Sequence, residues 1–233
     1  MAVGSNIITH GMSGTIGETV FVNSKRYRPH IRRKRGTVKP ATLNAAMEKS
    51  SHRMAQANMP AKAIFDAVRS CHKNGGLWNK LIIIFRRQLK AGRPFGLHDL
   101  QGLECHDKCT LGKLVCDTGY TVGHRLKGHS LYVEVFMNTH PDWSHLGWKN
   151  DFQYRLSVVA VFPDIKTGRY VREIIHGPVT GFSDPVQTVS FKMPLPDYAD
   201  GYVLFLVANL CENGEAMNQE NARGMKVVGT GAL

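Results

Sequence analysis

The sequence predicts an α+β fold with a basic extended N-terminal arm, a short helical section and a C-terminal antiparallel β-sandwich or jelly-roll-like domain. Three observations carry this prediction. Residues 25–39 contain eight Lys and Arg and no acid. Apolar residues then recur at helical spacing up to residue 91, and beyond Pro94 they alternate with polar ones at period two. The 233 residues therefore divide into an arm, a three-helix section and a sandwich, at residues 1–40, 41–93 and 94–233.

The arm begins with glycines spaced three residues apart and continues into a short β-prone segment. Its G-x-x-G-x-x-G spacing is not a dinucleotide fingerprint, because no strand precedes it and no βαβ unit contains it. We expect residues 18–22 to pair with residues 27–31 in a hairpin that turns at Asn23-Ser24. The cations of the arm are Lys25, Arg26, Arg28, Arg32, Arg33, Lys34, Arg35 and Lys39.

The lead S-G-T-I-G-E-T-V-F-V, the basic segment and the polar helix start K-P-A-T-L-N together resemble a group of uncharacterised bacterial proteins from gut anaerobes. Those proteins share an S-G-x-x-G-x-x-V lead and an Arg-rich extended stretch. The resemblance covers the arm and the first predicted helix, and the remaining chain only in outline. It implies a related arrangement and no residue-level function, because no activity is assigned to that group. Here Asn23-Ser24 stands where the group has a Gly between its two strands.

Three helices are expected after the arm. The first spans residues 43–57 with Thr42 as its N-cap, and the second spans residues 61–71 after a restart at Pro60. The third spans residues 77–91 and ends at a Gly and a Pro.

The charge of the chain is concentrated in its first part. Residues 1–93 hold 18 Lys and Arg against three acids, whereas residues 94–233 hold 12 against 15. Such asymmetry indicates an acidic partner for the first part, either nucleic acid or an acidic protein surface. Arg86 and Arg87 of the third helix are expected to extend this basic surface, with an ordinary solvated helix face as the alternative.

The β-rich part shows strand patterning without crossover helices, so an antiparallel sandwich is favoured over a parallel sheet. Within residues 131–137, Leu131, Val133 and Val135 share one side and are expected to face the core. The candidate strands are residues 114–116, 120–124, 131–137, 153–162, 170–175, 186–191, 202–208 and 225–228.

Two further constellations have the residue types of binding sites. The spacing of Cys105, Cys109 and Cys116 would allow them to supply some of the ligands of a structural zinc ion. The favoured alternative is that they are buried thiols that bind no metal. Trp143 and Trp148 lie in one polar loop, where they would form a stacking surface for a sugar or a base. The favoured alternative is that both rings fold back onto the sandwich.

No catalytic motif is present: the sequence lacks a G-x-S-x-G elbow, an H-E-x-x-H helix and a phosphate loop. We therefore expect a non-enzymatic binding and assembly protein without a cofactor. Its arm and helices would contact nucleic acid or an acidic partner within a larger assembly of the virion or ribosome type. A carbohydrate- or protein-binding sandwich using Trp143 and Trp148 is the alternative. Five cysteines without a secretion signal or a membrane span indicate a cytoplasmic protein.

Overall fold

The computed structural model of the chain describes residues 13–24, 27–34, 44–71, 76–116, 118–148 and 152–233. The chain divides into two compact units, Met1–Glu48 and Lys49–Leu233. Helices followed by antiparallel sheets in a sandwich-like arrangement confirm the predicted α+β class.

The first unit contains a three-stranded antiparallel sheet in the order β1-β2-β3. Its strands are β1 (Gly14–Ile16), β2 (Thr19–Ser24) and β3 (Tyr27–Arg33). The expected hairpin is present, with Phe21 opposite Ile31. The expected turn is wrong, because Ser24 pairs with Tyr27 and Asn23 therefore lies within β2.

Two helices, and not three, occupy the section that follows: α1 (Ala45–Val68) and α2 (Gly76–Lys90). The break expected at Pro60 is absent. Proline removes one backbone hydrogen bond from a helix, but Ala57, Pro60 and Ile64 are all buried, and tertiary packing stabilises most helices in proteins. The helix begins after Asn44, whose Oδ1 accepts a hydrogen bond from the Met47 N–H at 2.9 Å. The predicted N-cap, Thr42, lies outside the described residues.

The second unit contains two antiparallel sheets. A short helix, α3 (Leu111–Leu114), precedes them where a strand was expected at residues 114–116. Thr110 starts this helical turn, because its side chain accepts a hydrogen bond from the Lys113 N–H at 3.2 Å. The three-stranded sheet has the order β4-β5-β8. The five-stranded sheet begins with β7, which pairs with β6, and β6 pairs with β9. The other edge of β9 pairs with both β10 and β11. The strands are β4 (Tyr120–Lys127), β5 (Ser130–Met137), β6 (Gln153–Pro163), β7 (Tyr170–Gly181), β8 (Thr188–Pro194), β9 (Gly201–Glu212), β10 (Glu215–Ala216) and β11 (Arg223–Ala232).

The two central strands of the five-stranded sheet, β6 and β9, are buried on both faces. On one face Val158 and Leu204 pack in a core shared with the three-stranded sheet. On the other face Val159 and Phe205 pack in a core shared with α1 and α2. Burial on both faces explains why β6 and β9 are nearly continuous apolar runs, whereas a strand with one solvated face alternates.

The alternating strand β5 lines the first of these cores. Leu131, Val133 and Val135 are 0% exposed, as the period-two pattern predicted. On the second core, Trp78 of α2 is half-buried and its ring meets Phe65 of α1 edge-on at 5.5 Å.

Candidate nucleic-acid interface

A basic groove of about 270 Å³ lies between α1 and α2. Arg53 of α1 and Arg86, Arg87 and Lys90 of α2 line it, together with Ser50 and Ile83. The four cationic side chains are exposed. The groove is therefore a positive surface that an anion can reach from solvent.

The periods of the two helices explain why these residues meet. Residues 83, 86, 87 and 90 follow the i, i+3, i+4, i+7 spacing, so they form one stripe along α2. On α1, Arg53 precedes the buried Ala57 by four residues, so it continues the stripe that packs into the helix-facing core. That stripe changes from apolar to basic toward the N-terminal half of α1. Sequence reasoning placed Arg86 and Arg87 on a helix face but missed Arg53, although its spacing from Ala57 carried the signal.

No carboxylate lines the groove, and none of the ion pairs among the described residues involves its four cations. Lys80 of the same helix has a different role. Its Nζ lies 2.6 Å from an Asp107 carboxylate oxygen and donates to the Glu104 carbonyl at 2.9 Å. It therefore ties α2 to the segment before α3 and does not belong to the cations of the groove.

The N-terminal sheet carries a second set of exposed cations, on and just after its edge strand β3. Arg32, Arg33 and Lys34 are exposed, and the Lys34 N–H donates to the Glu18 carbonyl at 2.5 Å. Arg32 and Arg33 point to opposite faces of the sheet because side chains alternate along a strand. The basic segment is thus extended over β3. Arg28 lies within β3, whereas Lys25, Arg26, Arg35 and Lys39 lie outside the described residues.

The tryptophan loop packs onto the sandwich, as the favoured of its two interpretations predicted, and does not present a stacking surface. Trp143 is 1% exposed and packs against Tyr154 and Phe182, each with its ring centroid 6.3 Å away. Trp148 is half-buried, and its ring meets Phe152 edge-on at 5.5 Å. The favoured interpretation, that the rings fold back onto the sandwich, is confirmed for Trp143, because burial of its apolar ring area outweighs exposure, and the alternative of an exposed Trp143–Trp148 surface is wrong.

The cysteines do not form a metal site within the described residues, where no group of three or more His, Cys, Asp or Glu side chains could hold an ion. Cys105 and Cys109 are buried, whereas Cys116 is exposed and its Sγ lies 3.3 Å from the Thr118 hydroxyl. Burial raises the pKa of the Cys109 thiol to about 11 and also raises that of Cys105. Both thiols are therefore protonated at neutral pH.

Comparison with known proteins adds little to this geometry. No protein-family description matches the chain, and no curated protein matches it either. Among solved structures, the chain is similar to the selenomethionine-substituted chicken interferon gamma receptor alpha chain, with a TM-score of 0.31 and 10% identity. That match covers 49% of this chain and 48% of the receptor chain. A likeness this weak carries no conclusion about function. Separately, none of the described helices combines the length and apolar character needed to cross a membrane.

Proposed function

We propose that this protein is a non-enzymatic binding and assembly protein that holds nucleic acid on its basic surfaces. The observation that carries the proposal is the α1–α2 groove, where four exposed cations converge without a carboxylate among them. Guanidinium groups suit phosphate oxygens because their planar N–H donors match two oxygens at once. The groove and the cations of β3 would each contact the phosphate backbone, so binding would show little base preference.

The N-terminal sheet supports a role in a larger assembly. None of its described side chains is fully buried, and Ile16 and Ile31 are 62% and 51% exposed. Phe21 and Ile31 are paired across β2 and β3, so their side chains share one face of the sheet. Ile16 is paired with Thr19, which lies two positions before Phe21 on β2, so Ile16 is on the same face. Covering an apolar face stabilises a small sheet, because it removes apolar surface from water. A partner in a cytoplasmic particle of the virion or ribosome type would cover this face, and the β-sandwich would serve as a further interaction module.

Binding to labelled single-stranded and duplex oligonucleotides, measured at 50–200 mM NaCl, tests the proposal. Six phosphate contacts would lower the affinity roughly a thousandfold across this range, because each contact releases counterions. Replacing Arg32, Arg33, Lys34 and Arg35 together by Ser should flatten the slope of log affinity against log salt by about three to four. Circular dichroism would confirm that the variant keeps its fold.

Absence of RNA and DNA binding at low salt would refute the proposal. The basic surfaces would then be assigned to an acidic protein partner, which crosslinking from Lys34 in native cell extracts would locate.

A further inference from the structure

A polar pocket of about 320 Å³ lies in the second unit, on the helix-facing side of the five-stranded sheet. It does not overlap the α1–α2 groove, and it is independent of the proposed nucleic-acid binding. Its polar lining comes from the turn after α1 and from four strands: Ser70, Cys71, Arg155, Ser157, His176, Asn209 and Arg223.

The alternation of β6 and β9 creates this pocket. Alternate residues of a strand share a face, and along β6 the helix-facing side chains are the apolar Val159 and then the polar Ser157 and Arg155. Along β9 they are the apolar Val207 and then the polar Asn209. The apolar positions belong to the core beneath the helices, and the polar ones follow where α1 has ended at residue 68. The sheet therefore leaves one polar corner that its helices do not fill.

Arg223 gives this corner a positive charge that no acid neutralises. Its Nε donates to Asn209 Oδ1 at 2.6 Å, and its Nη1 donates to the Cys71 carbonyl at 2.7 Å. Both acceptors are neutral, no carboxylate lines the pocket, and no ion pair of the described residues involves Arg223.

Arg155 adds a second charge with an unused donor. Its Nε is buried and has no hydrogen-bond partner in the described part of the chain. Buried donors in folded proteins are rarely left unpaired, so such a group calls for an explanation. A ligand that accepts from the Nε edge of the guanidinium, once the half-buried Arg155 side chain turns toward the pocket, supplies one.

Ser157 and His176 complete the set of polar groups. The Ser157 hydroxyl lies 2.8 Å from His176 Nδ1, which leaves Nε2 as the second polar atom of the ring. Desolvation at the pocket wall, reinforced by the nearby Arg155 charge, lowers the pKa of His176 although its side chain is partly exposed, so the imidazole is neutral at neutral pH. A bound anion would offset the Arg155 charge and favour protonation of the ring.

We propose that this pocket binds a small phosphate-class dianion, free or as a monoester, against the guanidinium edge of Arg155. Two permanent positive charges without a carboxylate match a dianion better than a monoanion, and several convergent donors suit a tetrahedral group of oxygens. Arg223 would act mainly through its charge, since two of its donors are already engaged.

Titration with sodium phosphate at constant ionic strength tests this proposal, with thermal stability and calorimetry as readouts. The starting protein carries R86S and R87S, so that phosphate bound in the α1–α2 groove does not contribute. We expect a saturable stabilisation that R155M weakens roughly 10- to 100-fold in affinity, the usual effect of losing a charge-assisted contact. R169M, which removes an exposed Arg from the β6–β7 turn, is the matched control and should bind phosphate normally.

The stability of R155M without phosphate separates a ligand role from a structural one. The variant should melt no lower than its parent in phosphate-free buffer, because its Nε bonds nothing there. A lower melting temperature with unchanged phosphate affinity would assign Arg155 to the fold and overturn the proposal. H176N provides a second variant, expected to weaken phosphate binding. No saturable phosphate effect on the parent, or an equal effect of acetate at the same concentration, would also overturn it.

Discussion

Removing the four cations of the α1–α2 groove should sharply reduce the salt dependence of nucleic-acid binding. Each phosphate contact contributes about 0.9 to the slope of log affinity against log salt for duplex DNA and about 0.7 for single strands. Replacing Arg53, Arg86, Arg87 and Lys90 by Ser removes up to four such contacts. The magnitude of the slope should therefore fall by about 3.6 for duplex DNA and by about 2.8 for single strands. Over a fourfold increase in salt, the wild type would lose roughly 150-fold more duplex affinity than the variant, or roughly 50-fold more for single strands.

Fluorescence anisotropy with labelled oligonucleotides at five NaCl concentrations between 50 and 200 mM measures these slopes. The four groove side chains are exposed and make no ion pair within the described chain, so the variant should keep its melting temperature.

The matched control removes the same net charge elsewhere in the second unit, by replacing the exposed residues Lys113, Lys127, Lys166 and Arg169 with Ser. Its slope should stay close to that of the wild type. A groove variant with the wild-type slope, or a control that flattens equally, would refute the assignment and leave only a general effect of net charge.

Three further predictions concern the folded state. Val133→Ala in the sandwich core should lower the free energy of unfolding by about 1–3 kcal/mol, measured by urea denaturation, because Val133 is 0% exposed. Leu126→Ala on the neighbouring strand, where Leu126 is 44% exposed, should cost under about 0.5 kcal/mol, and equal costs would contradict the assigned core. Cys116 should react with a thiol reagent well before Cys109, whose burial raises its pKa to about 11; simultaneous labelling in the native state would contradict this. Burial lowers the pKa of His106 below its ordinary value of 6.5, so the unfolded chain binds its proton more readily and stability should fall as pH decreases through 6.5. His106→Gln should reduce that fall, and an unchanged pH profile would show that other groups cause it.

The strands of the sandwich were largely predictable because the period of apolar residues reports burial directly. In β5, alternation identified Leu131, Val133 and Val135 as core positions, and all three are buried. In β9 the same reasoning was incomplete. Alternation identifies a strand with one buried face, whereas helices cover the second face of β9 and nearly every residue of the strand is buried. A local pattern shows that a strand is apolar, but which neighbour covers each face is a long-range property.

The helical section shows where local signals yield to packing. Pro60 is a strong helix breaker on the surface, yet α1 continues through it because Pro60 and the neighbours on its core-facing side, Ala57 and Ile64, are buried. The tryptophan loop gives a parallel case. Its sequence admits both an exposed platform and a lid, and burial of Trp143 against Tyr154 and Phe182 selects the lid.

The amino-acid sequence by itself determined the α+β class, the extended basic segment and the positive charge of the first part of the chain. These follow from composition and short-range periodicity, which act within one element at a time. Only the tertiary structure decided that Arg53 joins Arg86 and Arg87 in one groove, since α1 and α2 must pack before their stripes meet. It likewise decided that Arg155, His176 and Arg223 line one pocket, because they lie on three strands that hydrogen bonding and the covering helices bring together. Sites of this kind depend on contacts between residues distant in sequence, and those contacts exist only in the folded chain.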